Sequence, residues 1–222
     1  MLLAEDLLLL LTDDSTGRLL VSGAEMDIAL AGAQLVELSL AGRVDIDGSK
    51  RLVVLDGSPT GDAVLDRALE IVARREGKKP SAVMGELGRG IRPTLYERLA
   101  ASGVLRREEG TMLGVFPIRR WPTASADHEA AVRRALTAAL VQGATPQPRD
   151  GALVALLHAL RATHKVVVPK EHGLRRRELH ARAKEVSQGS WGSDAVRQAV
   201  DAMMAAVIGA ASVAAVAGSG GS

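Results

Sequence analysis

Apolar residues recur at intervals of three and four along most of the chain, which is the spacing of one buried helix face. Between Gly23 and Gly42, Ile28, Leu35 and Leu38 follow this spacing, and Gly42 is a typical helix end. The same reasoning, with Pro and Gly as breaks, predicts nine helices. They cover Leu2–Leu11, Gly23–Gly42, Asp62 through Val72, Ser81 to about Gly88, Pro93–Ser102, Ser125–Val141, Gly151–Thr163, His172–Val186 and Ser193–Ala217.

Two segments alternate between apolar and polar residues, as half-buried strands do, around residues 43–55 and 104–118. Asp47-Gly48 predicts the turn of the first hairpin, and Glu109-Gly110 predicts the turn of the second. Strands do not alternate with helices in the pattern of a parallel sheet. The sequence therefore predicts a mainly α fold: one helical bundle wrapped by amphipathic helices, with short β-hairpins and more than half of the residues in helix.

Composition narrows the class of protein. Of the 222 residues 47% are hydrophobic and 24% are charged, which is a globular balance that excludes wholesale disorder. The absence of cysteine excludes a disulfide scaffold, a thiol nucleophile and Cys-ligated metal. With only four aromatic residues, a base-stacking surface for RNA is not expected. The pI of about 9.2 carries little weight for nucleic-acid binding, because the net charge is only +2 and few groups titrate between pH 7 and 9.

The sequence at neither end of the chain predicts a membrane-spanning segment. The apolar run Leu7–Leu11 is short and follows acidic residues instead of a basic region, so no export signal is evident. Ala202–Ala217 is uncharged but shorter than the roughly 20 residues that a spanning helix needs. We therefore expect a cytoplasmic domain over residues 1–217, followed by a disordered tail at 218–222.

No catalytic or cofactor motif stands out. No P-loop, dinucleotide fingerprint or nucleophile elbow is present, and the five histidines lack metal-ligand spacing. The sequence therefore predicts no catalytic residue, no metal ligand and no cofactor.

Arg89 and Arg92 form the clearest candidate site. They lie three residues apart before a helix start at Pro93, where free N–H groups and the helix dipole favour an anion. Two guanidinium groups there could clamp a phosphate. Solvated loop arginines are the plainer interpretation. A third interpretation is a winged helix that binds DNA phosphates, since Arg106, Arg107, Arg119 and Arg120 flank the second hairpin; the neighbouring helix, however, lacks polar base-reading residues.

An ordered set of stretches resembles a bacterial, actinobacterial-type member of the Golgi phosphoprotein 3 family. The resemblance covers about residues 1–215. Its matching stretches are Leu7–Leu10, Leu35–Arg43, Pro59–Asp62, Leu65-Asp66, Ala68-Leu69, Arg98-Leu99 and Gly103–Leu105, with looser matches at Leu153–Leu160 and in the final Ala-rich helix.

The resemblance implies a peripheral membrane protein on the cytosolic face that binds phosphatidylinositol 4-phosphate and acts as an adaptor for protein cargo. Arg89 and Arg92 match two arginines of the family's lipid headgroup pocket, whereas Ser22 and Ala31 stand where the family has a Trp and another Arg. We therefore expect weaker and less selective headgroup binding, with Arg119 or Arg120 as the nearest replacements.

The second hairpin matches the family's membrane-entering hairpin, and its residues Met112 and Leu113 are the expected membrane contacts. Because two apolar side chains contribute only about 2 to 5 kcal/mol, a homo-oligomer would strengthen binding by avidity. The predicted partners are thus an anionic membrane lipid, protein cargo and a second copy of the chain. Nucleic acid is not an expected partner.

Overall fold

A computed structural model describes residues 1–112, 116–189 and 194–219, and for 109–112, 116–120, 194–197 and 213–219 it describes the backbone alone. More than half of the residues are helical, which confirms the predicted mainly α class. Ten α-helices lie in the described part of the chain. They are α1 Leu3–Leu10, α2 Gly23–Leu40, α3 Ala63–Arg74, α4 Met84–Gly88, α5 Ile91–Ala101, α6 Asp127–Val141, α7 Pro148–Ala159, α8 Thr163–Val166, α9 Arg176–Ser187 and α10 Asp194–Ser219.

Two of the predicted helices begin or break elsewhere. The helix expected over His172–Val186 is a short 3₁₀ turn, Pro169–His172, followed by α9, because Gly173 adopts a left-handed conformation with φ of 67°. Helix α7 begins at Pro148, a residue expected to lie in a linker, since a proline fits the first turn of a helix. Helix α10 ends at Ser219, so its last two residues lie beyond residue 217, the predicted end of the domain. The domain boundary itself stays a prediction.

The first hairpin is confirmed. Strands β1 (Val44–Ile46) and β2 (Leu52–Val54) pair antiparallel, with Val44 opposite Val54. The Asp47 carboxylate accepts hydrogen bonds from the backbone N–H groups of Ser49 and Arg51 across the turn. The turn therefore has the Asp side-chain bonding that such positions favour.

The turn predicted for the second hairpin at Glu109-Gly110 is wrong. Both residues belong to β3 (Glu108–Met112), which pairs antiparallel with β4 (Phe116–Arg120). This register places two acidic residues of β3 opposite the two arginines that end β4: Glu108 faces Arg120 and Glu109 faces Arg119. Opposite charges directly across a sheet favour pairing, so the ladder continues past the Gly.

Helices α1 and α2 form the centre of the core. Every residue of α1 is buried, and α2 packs against α1, α4, α7 and α10. Gly32 permits the closest approach in this bundle, because a Cβ there would lie 2.4 Å from a methyl carbon of Val207 in α10. Helix α3 is amphipathic, with its apolar residues buried on one face.

Two arginines compensate the buried acidic residues of α1. Arg98 on α5 binds the buried Glu5 through Nε (3.0 Å) and holds both carboxylate oxygens of Asp62 at 2.8 Å. Arg149 on α7 binds the buried Asp6 at 2.9 Å and Glu37 at 2.5 Å. These contacts tie α1 to α2, α3, α5 and α7, so we assign the arginines to fold stability.

An aromatic pair fixes the base of the second hairpin to α5. The rings of Tyr96 and Trp121 stack with centroids 5.2 Å apart and planes within 2°. Tyr96 lies on α5, and Trp121 directly follows β4. The hairpin is thereby anchored on the helix that carries Arg92.

No helix in the described part of the chain is both long enough and apolar enough to cross a bilayer.

Candidate functional site

Arg92 lies in the first turn of α5 and points toward the start of α2. Its Nε and Nη2 contact the carboxylate of Asp27 at 3.0 and 3.1 Å, in a two-point ion pair. Its Nη1 lies so close to Gly23 that a Cβ on that glycine would be 2.9 Å away. The guanidinium therefore sits at the amino end of an 18-residue helix, where the backbone also favours negative charge.

Two glycines bring this turn against α2. Gly88 ends α4, and a Cβ there would lie 2.9 Å from the carbonyl oxygen of Asp27. Gly90 precedes α5 in the left-handed region, with φ of 72°, which a glycine adopts without strain. Gly88 and Gly90 together thus allow the tight turn of the chain that connects α4 to α5.

Arg89 is exposed and forms no ion pair with any described residue. Its backbone carbonyl accepts a hydrogen bond from Nη2 of Arg67 on α3, at 3.2 Å. Arg67 is itself exposed, so a third guanidinium adjoins the predicted pair. Nothing in the linear spacing places residue 67 beside residue 89, which is why sequence reasoning missed it.

The acidic groups nearby are bound mainly to other arginines. Glu86 bonds to Arg74 at 2.7 Å, and this hydrogen bond lowers the pKa of Glu86, with further lowering from the charges of Arg75 and Arg89. Asp27 is committed to Arg92. The exposed surface around Arg67 and Arg89 is consequently cationic.

Ser22 and Ala31, the two positions that differ from the family pattern, have structural roles in this chain. Ser22 caps α2: its hydroxyl accepts from the Glu25 N–H at 3.2 Å, and its own N–H donates to the Glu25 carboxylate. Ala31 is fully buried in the core. Neither supplies an aromatic ring or a positive charge at the surface.

Of the two predicted membrane contacts, only the backbone of Met112 is described. Met112 is the last residue of β3 and pairs with Phe116, while Leu113 lies outside the described residues. Arg119 and Arg120 occupy β4 near the hairpin base, and only their backbone is described.

The winged-helix interpretation finds little support in α5. Its exposed positions are Pro93, Thr94, Glu97 and Ala101, and Arg98 is engaged by carboxylates. An acidic side chain is repelled by DNA phosphates, and proline and alanine side chains offer no hydrogen bond to a base edge. Among the described residues, no group of three or more metal-ligating side chains could hold an ion.

Neutralising Asp27 should strengthen anion binding at this surface. The substitution Asp27→Asn keeps the shape but removes the charge that competes for Arg92, and one extra net positive charge should raise affinity for anionic vesicles about fivefold. The exposed Glu185, changed to Gln, is the charge-matched control and should leave affinity unaltered. Equal effects of both changes, measured by vesicle co-sedimentation, would contradict a local role for Asp27.

A mainly helical fold with an exposed arginine cluster beside an anchored hairpin defines a class of helical protein with a surface suited to anionic ligands. The chain belongs to the Golgi phosphoprotein 3 family, whose model matches residues 3–203.

The chain is also similar to the vacuolar protein sorting-associated protein 74 of Eremothecium gossypii. The two are 29% identical over an alignment of 165 positions, which covers 63% of this chain and 49% of the fungal protein. The chain thus spans about half the length of the curated relative that it matches.

Proposed function

We propose that this protein is a peripheral membrane protein that binds an anionic phospholipid headgroup, of the phosphatidylinositol 4-phosphate kind. The observation that carries the proposal is the hydrogen bond from the Arg67 guanidinium to the backbone carbonyl of Arg89, which brings two exposed arginines together three residues before Arg92. Family membership over residues 3–203 gives this surface its context.

The chemistry of the cluster suits a phosphomonoester. Guanidinium groups bind phosphate oxygens through two parallel N–H bonds, and such charge-assisted bonds contribute roughly 1.5 to 3 kcal/mol each. The first N–H groups of α5 lack partners within their helix and lie next to Arg89 and Arg92. A phosphate at this turn would accept from both kinds of donor.

Two features set a low affinity for a single headgroup. Ser22 caps a helix and Ala31 is buried, so the stacking and third-arginine contacts of the family pocket have no counterpart there. Arg92 must also share its guanidinium with Asp27. We therefore infer weak, poorly selective binding to anionic lipids, strengthened by Met112 and Leu113 in the bilayer and by association between copies of the chain.

The proposal places the protein in the cytoplasm at a membrane surface, as an adaptor for protein cargo and not as an enzyme. It assigns no role to a cofactor, a metal ion or nucleic acid.

Co-flotation with vesicles tests the proposal. The protein should float with phosphatidylcholine vesicles that contain phosphatidylinositol 4-phosphate and stay behind with phosphatidylcholine alone. A duplex DNA shift assay at the same salt concentration tests the winged-helix alternative. Binding to DNA without any binding to anionic vesicles would reject the lipid proposal in favour of that alternative.

A further inference from the structure

A second cationic cleft lies on another part of the molecule, between the end of α7 and α9. It encloses about 530 Å³ and is lined by Arg161, Thr163, His164, Leu179 and His180, together with Arg176 and Arg177. Five of these seven side chains are basic, and no carboxylate is among them. We propose that this cleft is a second anion site, which binds a phosphate group.

One residue that lines the cleft carries an unsatisfied donor. Thr163 is 4% exposed, and its buried hydroxyl has no hydrogen-bond partner among the described residues. A buried polar atom without a partner is unusual, because leaving it unpaired is unfavourable. If the Thr163 side chain turned toward the cleft, a phosphate oxygen there would accept from this hydroxyl and remove the deficit.

Next to the cleft, a second buried polar atom has no described partner. It is Nδ1 of His158, whose ring packs against His180 with centroids 4.5 Å apart. Burial, followed by the charges of His180 and Lys184, lowers the pKa of His158. His180 therefore lines the cleft and also packs against the ring of the buried His158.

The helix that borders the cleft is also unusual in its charges. Arg176 and Arg177 occupy the first turn of α9, where the helix dipole disfavours positive side chains. An anion bound between them would reverse this unfavourable arrangement. Arg161 adds a third guanidinium from the second residue after the end of α7, with φ of 53°, a conformation that glycine adopts more readily.

These charges are only weakly compensated: the charge of Arg177 contributes to the lowered pKa of Glu178, after the hydrogen bond from the Arg175 N–H and the charge of Arg175. Within the described residues, none of Arg161, Arg176 and Arg177 forms an ion pair. The nearby carboxylate of Glu178 accepts instead from the Arg175 N–H at 2.7 Å and lies 3.4 Å from the Arg175 Nε. The three guanidinium groups thus remain available for an external anion.

Titration with inorganic phosphate, followed by ¹H–¹⁵N NMR at constant ionic strength against chloride, tests this site. We expect saturable shifts at the amides of Thr163, Arg176 and Arg177. The double substitution R176Q/R177Q should weaken phosphate binding about tenfold or more, since each lost charge-assisted bond is a strong one.

Two controls separate the cleft from general charge effects. The double substitution K78Q/R134Q removes the same charge at exposed positions elsewhere and should change affinity by less than about twofold. The double substitution R89A/R92A should leave the shifts at Thr163 intact. Shifts that never saturate, or equal losses in the cleft variant and the K78Q/R134Q control, would overturn the proposal.

Two further variants test the site with substitutions that should not destabilise the fold. R161G places glycine at a left-handed position, so it should melt at least as high as the wild type while binding phosphate more weakly. T163V removes only an unpaired hydroxyl and should likewise keep its melting temperature. Wild-type affinity in both variants would contradict the site.

Vesicle flotation distinguishes a lipid headgroup from a soluble phosphate compound as the ligand. If R176Q/R177Q also weakens flotation with phosphatidic acid vesicles, the ligand is a lipid headgroup. If flotation is unchanged while inorganic phosphate binding is weakened, the ligand is a soluble phosphate compound. Both results support the cleft, and neither depends on the Arg89 and Arg92 surface.

Discussion

Replacing Arg98 with alanine should lower the free energy of unfolding by about 3 kcal/mol. The change removes the guanidinium that contacts the buried carboxylate of Glu5 and both oxygens of Asp62. The free-energy cost of leaving a buried carboxylate unpaired is larger than the stabilisation that the ion pair itself provides. Chemical denaturation at neutral pH measures the difference, and the exposed Arg134→Ala variant is the control.

The destabilisation should depend on pH. The hydrogen bond from Arg98 is the main reason that the pKa of Asp62 is lowered. A carboxyl with a lowered pKa stabilises the folded state above its unfolded pKa of about 3.9, and this contribution is lost as pH falls through the folded value. The gap between wild type and Arg98→Ala should therefore be full near neutral pH and shrink below about pH 4. A gap that stays constant with pH would mean that Arg98 acts through packing alone.

Converting both hairpin residues to aspartate, Met112→Asp with Leu113→Asp, should abolish flotation with anionic vesicles. Burying the two apolar side chains contributes at most about 2 to 5 kcal/mol, and carboxylates would be both repelled and costly to desolvate. Because the base of the hairpin is anchored separately by Tyr96 and Trp121, the melting temperature should stay within a few degrees.

The hairpin prediction has a matched control elsewhere on the surface. Leu55 and Ile208 are 58% and 48% exposed, and changing both to aspartate adds the same charges away from the hairpin. The control variant should float nearly as well as the wild type. A large loss of stability in the hairpin variant would instead assign Met112 and Leu113 to the core or to an interface between copies.

Sequence patterns predicted most of the helices because their apolar residues recur at helical spacing and many have a clear start or end. Gly42, Pro59–Asp62 and Gly103 also gave correct boundaries, since their backbone or capping roles are local. Asp62, for example, caps α3 by accepting from the N–H groups of Val64 and Leu65. Such signals depend on residues a few positions apart.

Contacts between distant segments could not be predicted in the same way. The ion pair of Arg92 with Asp27 joins residues 65 positions apart, and Arg67 reaches Arg89 from another helix. The second hairpin misled the turn prediction: Glu109-Gly110 is a favourable local turn, but the strand pairing continues beyond it through Thr111 and Met112. In each case the packing of whole elements decided the outcome, and no short-range pattern records that packing.

Vesicle flotation of the Arg89→Ala, Arg92→Ala double variant at fixed salt tests the central claim most directly. Losing Arg92 removes one half-exposed ion pair, worth no more than about 1 kcal/mol, so the variant should remain folded. Its affinity for vesicles containing phosphatidylinositol 4-phosphate should fall about tenfold or more. The charge-matched Lys78→Ala, Arg134→Ala variant should retain most of its binding. Wild-type affinity in the Arg89 and Arg92 variant, or an equal loss in the control, would contradict a headgroup site at this surface.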